Sequence, residues 1–173
     1  MDISPYIRNV PDFPKPGIQF KDVTTLLLEP KVFRYITDTF KERYKDQKVD
    51  AIVGMDARGF IFGAALAYTM ELPFVLARKK DKLPADTIEE SFELEYGEAI
   101  VEMHIDSISP GQRVLIIDDL LATGGTTEAV VRLLNRLGAE IIEAAYVVEL
   151  PPLNGRARLK DIKVFSLVEF MVD

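Results

Sequence analysis

Two adjacent carboxylates stand directly before a turn of small residues in the middle of the chain. The apolar run Val114 to Ile117 predicts a buried strand, and Asp118 and Asp119 follow at its carboxyl end. Open sheets of parallel strands bind their ligands at that edge. Five small or hydroxyl-bearing residues come before the next helical pattern: Ala122, Thr123, Gly124, Gly125 and Thr126.

The composition of this turn is typical of an anion-binding site. Glycines allow successive backbone N–H groups to turn inward, threonines add hydroxyl donors, and the start of the following helix adds the positive end of its dipole. The turn therefore predicts a cradle for one phosphate. The neighbouring carboxylates would repel a second phosphate but can accept hydrogen bonds from the vicinal hydroxyls of a ribose. The whole segment predicts a ribose 5-phosphate site.

Two other interpretations of this segment are weaker. Taken separately, the carboxylates could cap a helix and the glycines could form a simple turn, but their joint spacing favours the ligand site. A Walker-type loop requires a lysine after its second glycine, and the chain has no lysine between Arg113 and Lys160. Hydrolysis of a nucleoside triphosphate therefore loses its main support.

Composition excludes several classes of function. The 173 residues, 48% apolar and 28% charged, predict one globular domain over 1–173. Cysteine is absent and there is a single histidine, which opposes disulfide, thiolate and His-built zinc sites. The net charge of −7 opposes nucleic-acid binding. No signal-like run or membrane-length apolar stretch is found, so we expect no membrane association and a cytoplasmic location.

Apolar runs alternate with helical patterns along the chain, which predicts an α/β fold. We expect a central parallel sheet of about five strands, flanked by helices on both faces. The predicted strands are 49–53, 74–77, 114–117, 141–148 and 164–168. The predicted helices are 30–44, 61–70 and 126–137.

Two segments outside this alternation are expected to cover the site. Residues 1–29 form a predicted hood, in which the proline-rich stretch PDFPKPGIQFKD is expected to be irregular. Residues 79–105 form a charged excursion that is too long for a tight connection. Its second half alternates apolar and acidic residues around Gly97, which predicts a hairpin acting as a flexible flap.

The strand-DDLLATGGTT-helix segment resembles the signature of the type I phosphoribosyltransferases, which bind phosphoribosyl pyrophosphate. Five further segments resemble the adenine phosphoribosyltransferase family, in the same order and at similar spacings: FPKPGIQFKDVTTLL, MDARGFIFG, ARKKDKLPADT, FELEYGEA and VELPPLNGRARL. The resemblance covers nearly the whole chain. It implies the type I phosphoribosyltransferase fold and a homodimeric, Mg²⁺-dependent enzyme of purine salvage. Such an enzyme transfers the phosphoribosyl group to adenine, giving AMP and pyrophosphate.

The resemblance also assigns roles in binding the phosphoribosyl donor. It places Ala122 to Thr126 around the 5-phosphate, and Asp118 and Asp119 on the ribose hydroxyls. It implies that Arg58, Lys79 and Lys82 bind the pyrophosphate, with Arg58 also acting in catalysis. From the residues alone, Arg58 could be a surface charge at a helix start, and the lysines could belong to a solvated run. Magnesium is expected on substrate oxygens and water rather than in a protein metal cage.

Adenine is assigned to the hood and to the flap. The resemblance gives the flap residue Glu95 a catalytic role in transferring the imidazole proton of adenine. The resemblance implies an adenine pocket made of four hood residues and the residue after the acidic pair: Ile18, Gln19, Phe20, Lys21 and Leu120. Without the resemblance, Phe20 would be an ordinary core residue and Glu95 one of several acidic neighbours.

Two residues depart from the family pattern. Gln19 stands where an apolar residue is common, which adenine binding tolerates if the contact is made by the backbone. Asp81 stands where glycine is common in the flap turn, and aspartate tolerates such backbone conformations. Two alternative functions stay open: transfer to another base, and a non-catalytic sensor of phosphoribosyl pyrophosphate or a nucleotide.

Overall fold

The computed structural model describes residues 1–93 and 97–171. Its strands, numbered in chain order, are β1 (Arg8–Pro11), β2 (Gln19–Asp22), β3 (Ala51–Met55), β4 (Phe74–Lys79), β5 (Thr87–Glu93), β6 (Glu98–His104), β7 (Arg113–Leu121), β8 (Glu140–Glu149) and β9 (Val164–Glu169). Its α-helices are α1 (Pro30–Tyr44), α2 (Gly59–Met70) and α3 (Gly125–Arg136). Short 3-10 helices are Ser4–Tyr6, Val23–Leu28, Pro151–Leu153 and Gly155–Leu159.

The central sheet has seven strands in the order β5-β6-β4-β3-β7-β8-β9 among the described residues. The five strands β4, β3, β7, β8 and β9 are parallel, whereas β5 and β6 extend the sheet in the antiparallel sense. The predicted parallel sheet is therefore confirmed. The predicted helix 30–44 is confirmed as α1, and the other two predicted helices begin one or two residues earlier in the structure.

Neighbouring side chains of the central strands point to opposite sides of the sheet, and helices cover both of its faces. Ile52 of β3 packs in a cluster with Phe40 of α1 and Leu66 of α2. The next residue, Val53, packs in a second cluster with Leu133 of α3. All five residues of β3 are buried, so the continuous apolar run predicts its environment correctly. None of the helices in the described ranges is long and apolar enough to cross a membrane.

The hood is more regular than predicted, because Gln19–Asp22 forms β2 and pairs antiparallel with β1. The expectation of irregular structure was wrong for these four residues. Pro11 ends β1, whereas Pro14, Pro16 and Gly17 lie in the connecting loop, where Asp12 has a left-handed φ of 56°. The Asp12 carboxylate accepts a hydrogen bond from the N–H of Gly17 at 2.8 Å. This contact closes the loop and lets the following strand, β2, pair with β1.

The predicted hairpin is confirmed, with Glu93 paired to Glu98, whereas its movement as a flap stays a prediction. It continues the central sheet, because β6 pairs with the end of β4. Lys79 is therefore the last residue of a core strand rather than the first residue of an excursion. The outer strand is also attached to α3, since Glu90 accepts hydrogen bonds from Arg132 at 3.1 Å and Arg136 at 2.8 Å.

The segment after β8 supports the turn between β7 and α3. A Cβ atom on Gly155 would lie 2.4 Å from the carbonyl oxygen of Ala122, and one on Gly124 would lie 2.7 Å from the carbonyl oxygen of Gly155. Both positions therefore exclude a side chain. The neighbouring Arg156 forms two hydrogen bonds with the buried Glu149, at 2.7 and 2.6 Å. This pair holds the supporting segment against the sheet.

We predict that Gly155→Ala destabilises the protein. The φ of Gly155 is outside the left-handed region, so the effect isolates the steric conflict with Ala122. Overpacking of this kind lowers the free energy of unfolding by about 1 to 3 kcal/mol. Urea denaturation followed by circular dichroism provides the measurement.

Gly125→Ala is the matched control for this substitution. A Cβ atom at Gly125 would lie 3.6 Å from the nearest atom, a carbon of Phe92, which is ordinary contact. Its free energy of unfolding should stay unchanged or rise by up to about 1 kcal/mol. Equal stability of the two alanine variants would contradict the packing argument.

Candidate active site

The residues predicted to bind phosphate lie together at the amino end of α3. A cavity of about 90 Å³ is lined by Asp118 and by the segment from Leu120 to Thr127. Gly124 occupies the N-cap position with a φ of 82°, and within the described residues no side chain caps the helix. The first N–H groups of α3 are therefore available to an anion, where the helix dipole favours negative charge.

Asp118 and Asp119 have different environments, although they are adjacent. Asp119 is 4% exposed, whereas Asp118 is half-buried and lines the phosphate cavity. The Asp118 carboxylate accepts the N–H of Asp119 at 2.8 Å. Burial, followed by the negative charge of Asp119, raises the pKa of Asp118 well above its ordinary value. A ligand that donates hydrogen bonds would stabilise the charged form of this carboxylate.

Arg58 joins this acidic pair from the neighbouring strand-to-helix connection. Its Nε donates to the carboxylate of Asp119. Burial disfavours the charged guanidinium, but the hydrogen bond and charge of Asp119, with the charges of Asp118 and Asp22, raise the pKa of Arg58. Its side chain is 46% exposed, so a ligand can reach it. At the start of α2, a Cβ on Gly59 would lie 2.7 Å from Asp118 Oδ1, so the acid pair requires glycine there.

A second cavity, of about 320 Å³, lies between the flap hairpin and the ends of β3 and β4. Its lining includes Asp56, Lys79, Phe92 and Thr126. Thr126 also lines the phosphate cavity, so the two spaces adjoin. The Asp56 carboxylate accepts the N–H of Lys79 at 3.3 Å. The structure therefore brings the predicted lysine Lys79 beside the predicted phosphate cradle.

Lys79 and Lys82 are both exposed. The intervening Lys80 forms an ion pair with Glu89 at 3.1 Å. No salt bridge to the ammonium groups of Lys79 and Lys82 is found among the described residues. These two groups therefore differ from Lys80 in being available to an anionic ligand.

The predicted adenine residues of the hood lie in or beside β2. The Phe20 ring packs edge-on against Phe13, with 5.1 Å between centroids. The side-chain oxygen of Gln19 accepts from Asn9 at 2.7 Å. The Lys21 ammonium lies 4.7 Å from the centroid of the Phe170 ring. The Gln19 side chain is thus already engaged, which agrees with a ligand contact through its backbone.

The hood reaches the rest of the site indirectly. Asp22, at the end of β2, lies close enough to contribute to the charge environment of Arg58. Leu120 and Phe170 are partly buried and pack on the same core cluster. Within the described residues, no hydrogen bond joins Leu120 to the four predicted hood residues, of which Ile18 is exposed. The adenine pocket therefore stays a prediction.

Glu95 lies outside the described residues, and its catalytic role also stays a prediction. The strand that precedes it places Phe92 next to Gly125. The sequence interpretation missed two residues that organise the site, Asp56 and Gly155. Asp56 follows the buried run of β3 and could have been found from its position at the same sheet edge as Asp118. Gly155 offered no signal, because its role arises from contact between two loops distant in sequence.

Known proteins resemble this chain over nearly its full length. The family model described as "Phosphoribosyl transferase domain" matches residues 22–173. An adenine phosphoribosyltransferase of Methylibium petroleiphilum is 57% identical over 166 residues, covering 95% of this chain and 85% of the relative.

Solved structures agree with this relationship. The adenine phosphoribosyltransferase of Thermoanaerobacter pseudethanolicus superimposes with a TM-score of 0.93 at 45% identity, covering 97% of this chain and 98% of the other. The Saccharomyces cerevisiae protein, complexed with D-2,5-dideoxy-2,5-imino-altritol 1,6-bisphosphate and adenine, gives a TM-score of 0.92 at 36% identity and 96% coverage of both chains. The chain therefore belongs to the adenine phosphoribosyltransferase family and has the type I phosphoribosyltransferase fold.

Proposed function

We propose that this protein transfers the 5-phosphoribosyl group from phosphoribosyl pyrophosphate to adenine, giving AMP and pyrophosphate. The observation that carries the proposal is the cavity at α3, in which Asp118 and the uncapped start of the helix adjoin. Membership of the adenine phosphoribosyltransferase family supports the reaction and disfavours a sensor or another base. The adenine bound to the yeast relative supports the choice of base.

The donor is bound first through its 5-phosphate in this proposal. The segment from Ala122 to Thr126 supplies N–H and hydroxyl donors, and the α3 dipole stabilises the negative charge. Asp118 and Asp119 accept hydrogen bonds from the two ribose hydroxyls. Binding fixes the ribose ring while leaving its anomeric carbon open to the flap cavity, so the reacting atoms are held in position.

Displacement occurs at the anomeric carbon as the bond to pyrophosphate breaks. Positive charge develops on the ribose ring, and the nearby carboxylates stabilise it. Negative charge develops on the departing pyrophosphate, and Arg58, Lys79 and Lys82 stabilise that charge. Arg58 donates a hydrogen bond to Asp119, and this contact holds its guanidinium beside the position proposed for the ribose. Exclusion of water by the flap favours the purine nitrogen as nucleophile.

Magnesium completes this proposal as an ion held mainly by the substrate. Within residues 1–93 and 97–171, no three side chains of metal-ligating type are clustered. Mg²⁺ would take its ligands mainly from substrate oxygens and water, because it loses water reluctantly, while Asp118 and Asp119 stay on the ribose hydroxyls. When bound, Mg²⁺ would supply positive charge against the pyrophosphate.

Adenine lies between the hood and the flap in this proposal. Phe20 stacks on the purine ring, while Ile18, Gln19, Lys21 and Leu120 complete the pocket, with backbone groups reading the purine edge. Glu95 accepts the proton released from the imidazole ring.

We also infer a cytoplasmic homodimer. The exposure of Leu28 at 77% and of Tyr68 at 86% supports an assembly that covers apolar surface.

The base preference tests the proposed function. Purified protein should convert adenine, phosphoribosyl pyrophosphate and Mg²⁺ to AMP, measured by chromatography. Hypoxanthine, xanthine and orotate, supplied separately, should react at least about 100-fold more slowly, because a site that reads polar edges of a base rejects analogues strongly. Turnover of a different base would replace adenine in the proposal, and binding of phosphoribosyl pyrophosphate without turnover of any base would identify a sensor.

Glu95→Gln should lower kcat by about 100-fold or more, since loss of a general base has effects of that size. The matched control is Glu98→Gln, which removes an exposed carboxylate at the start of β6 in the same hairpin. Steady-state kinetics of both variants with saturating substrates provide the measurement. Equal rates for the two variants would exclude a special role for Glu95.

Asp118 should make donor binding depend on pH. Its raised pKa keeps the ligand-free carboxyl neutral up to a higher pH than usual, whereas hydrogen bonds from the ribose favour the charged form. The KM for phosphoribosyl pyrophosphate should therefore fall as the pH rises toward this pKa, by up to about tenfold per pH unit, and level off above it.

In Asp118→Asn the side chain no longer titrates, whereas the phosphates of the donor ionise as they do with the wild type. The wild type and the variant should be compared between about pH 5 and 9, by fitting KM at each pH. A larger pH dependence in the wild type is expected. Parallel pH profiles would show that Asp118 does not titrate on donor binding.

A further inference from the structure

The turn between β4 and β5 contains an anion-binding arrangement of backbone amides that a carboxylate of the protein already occupies. Asp81 has a left-handed φ of 65°, a conformation that directs successive N–H groups to one side. Glu102 of β6 accepts the N–H of Lys82 at 2.9 Å and that of Leu83 at 2.8 Å. Both bonds end on Glu102 Oε1, so one carboxylate oxygen closes the turn.

Glu102 is only 4% exposed, which makes it unusual among the many acidic residues of the hairpin. Burial alone would raise the pKa of Glu102, but the N–H groups of Leu83, Lys82 and Asp81 outweigh that effect and lower it. The carboxylate is therefore charged and satisfied by backbone donors. A buried charge held by amides fixes local geometry, because moving either partner leaves an unsatisfied group.

Other contacts hold the same turn from its remaining sides. The N–H of Lys80 donates to the carbonyl oxygen of Ile100 at 3.1 Å. Arg78 donates to the carbonyl oxygen of Lys82 at 3.3 Å. The backbone of the turn is thus fixed at both ends, while Lys82 itself is exposed.

We propose that Glu102 is a positioning residue for pyrophosphate: it occupies the backbone anion site of the turn and so holds Lys82 where the pyrophosphate binds. This inference rests on the proposed function, which assigns Lys82 to that ligand. It also implies that pyrophosphate is bound by the ammonium groups of the turn and not by its backbone amides. The 5-phosphate cradle lies at α3 and does not depend on Glu102.

The two products distinguish this role from general damage to the fold. AMP uses the cradle and the ribose site, whereas pyrophosphate uses the lysines of the turn. Glu102→Leu removes the acceptor, and Glu102→Gln keeps an amide oxygen but loses the charge. Pyrophosphate affinity should fall by about tenfold or more in Glu102→Leu and by less in Glu102→Gln, since small displacements of binding groups have effects of this size. AMP affinity should stay within about twofold. Isothermal titration calorimetry measures both ligands.

Hydrogen exchange without ligand tests separately whether Glu102 holds the turn. The N–H groups of Lys82 and Leu83 should exchange faster in both Glu102 variants than in the wild type. Glu98→Gln, on the same strand but exposed, should match the wild type in exchange and in affinity for both products.

Unchanged exchange of the Lys82 and Leu83 N–H groups in Glu102→Leu would show that Glu102 does not hold the turn. Faster exchange with wild-type pyrophosphate affinity, or an equal loss for AMP and pyrophosphate, would overturn the positioning role. If the wild type makes no AMP, the proposed function fails instead, while the exchange rates still decide whether Glu102 holds the turn.

Discussion

The uncapped amino end of α3 is the constraint on which the rest of the site depends. The first N–H groups of a helix need acceptors, and Gly124 at the N-cap supplies no side chain for them. A ligand anion can satisfy these groups, and the helix dipole favours it. The same constraint places the carboxylates, because Asp118 and Asp119 must lie near the carboxyl end of β7, which continues to Leu121, without filling the cradle.

Close packing keeps this turn in place although no side chain in the described part of the chain caps the helix. Gly155 supports it from behind at a distance that excludes any side chain, and Arg156 with Glu149 holds that support. On the opposite side, Gly59 allows Asp118 to approach the start of α2. Two strand-to-helix connections thus meet, and Arg58 joins them through Asp119. The geometry of the site is a property of three loops packed together rather than of one motif.

Local chemistry predicted the parts of this arrangement that lie within one segment. Continuous apolar runs predicted β3 and β7, because strands covered on both faces require them. The spacing from Asp118 to Thr126 predicted the phosphate cradle, whose residues do line one cavity. Contacts between distant segments could not be predicted, because neither segment carries a pattern that identifies its partner. β2 was missed because its partner β1 lies across a proline-rich loop, and Lys79 was placed in an excursion because its pairing with Val101 is not visible in its own sequence.

The two turns whose backbone N–H groups are suited to an anion differ in what those groups face. Both present backbone N–H groups in a geometry suited to negative charge. At Lys82 and Leu83 a buried glutamate fills that geometry, so the backbone is fixed and only the side chains remain available. At α3 the corresponding groups stay open toward a cavity. A turn made of lysines and a left-handed residue therefore does not by itself indicate a backbone phosphate site. The deciding property is whether an internal carboxylate is within reach, and that depends on the pairing of the sheet.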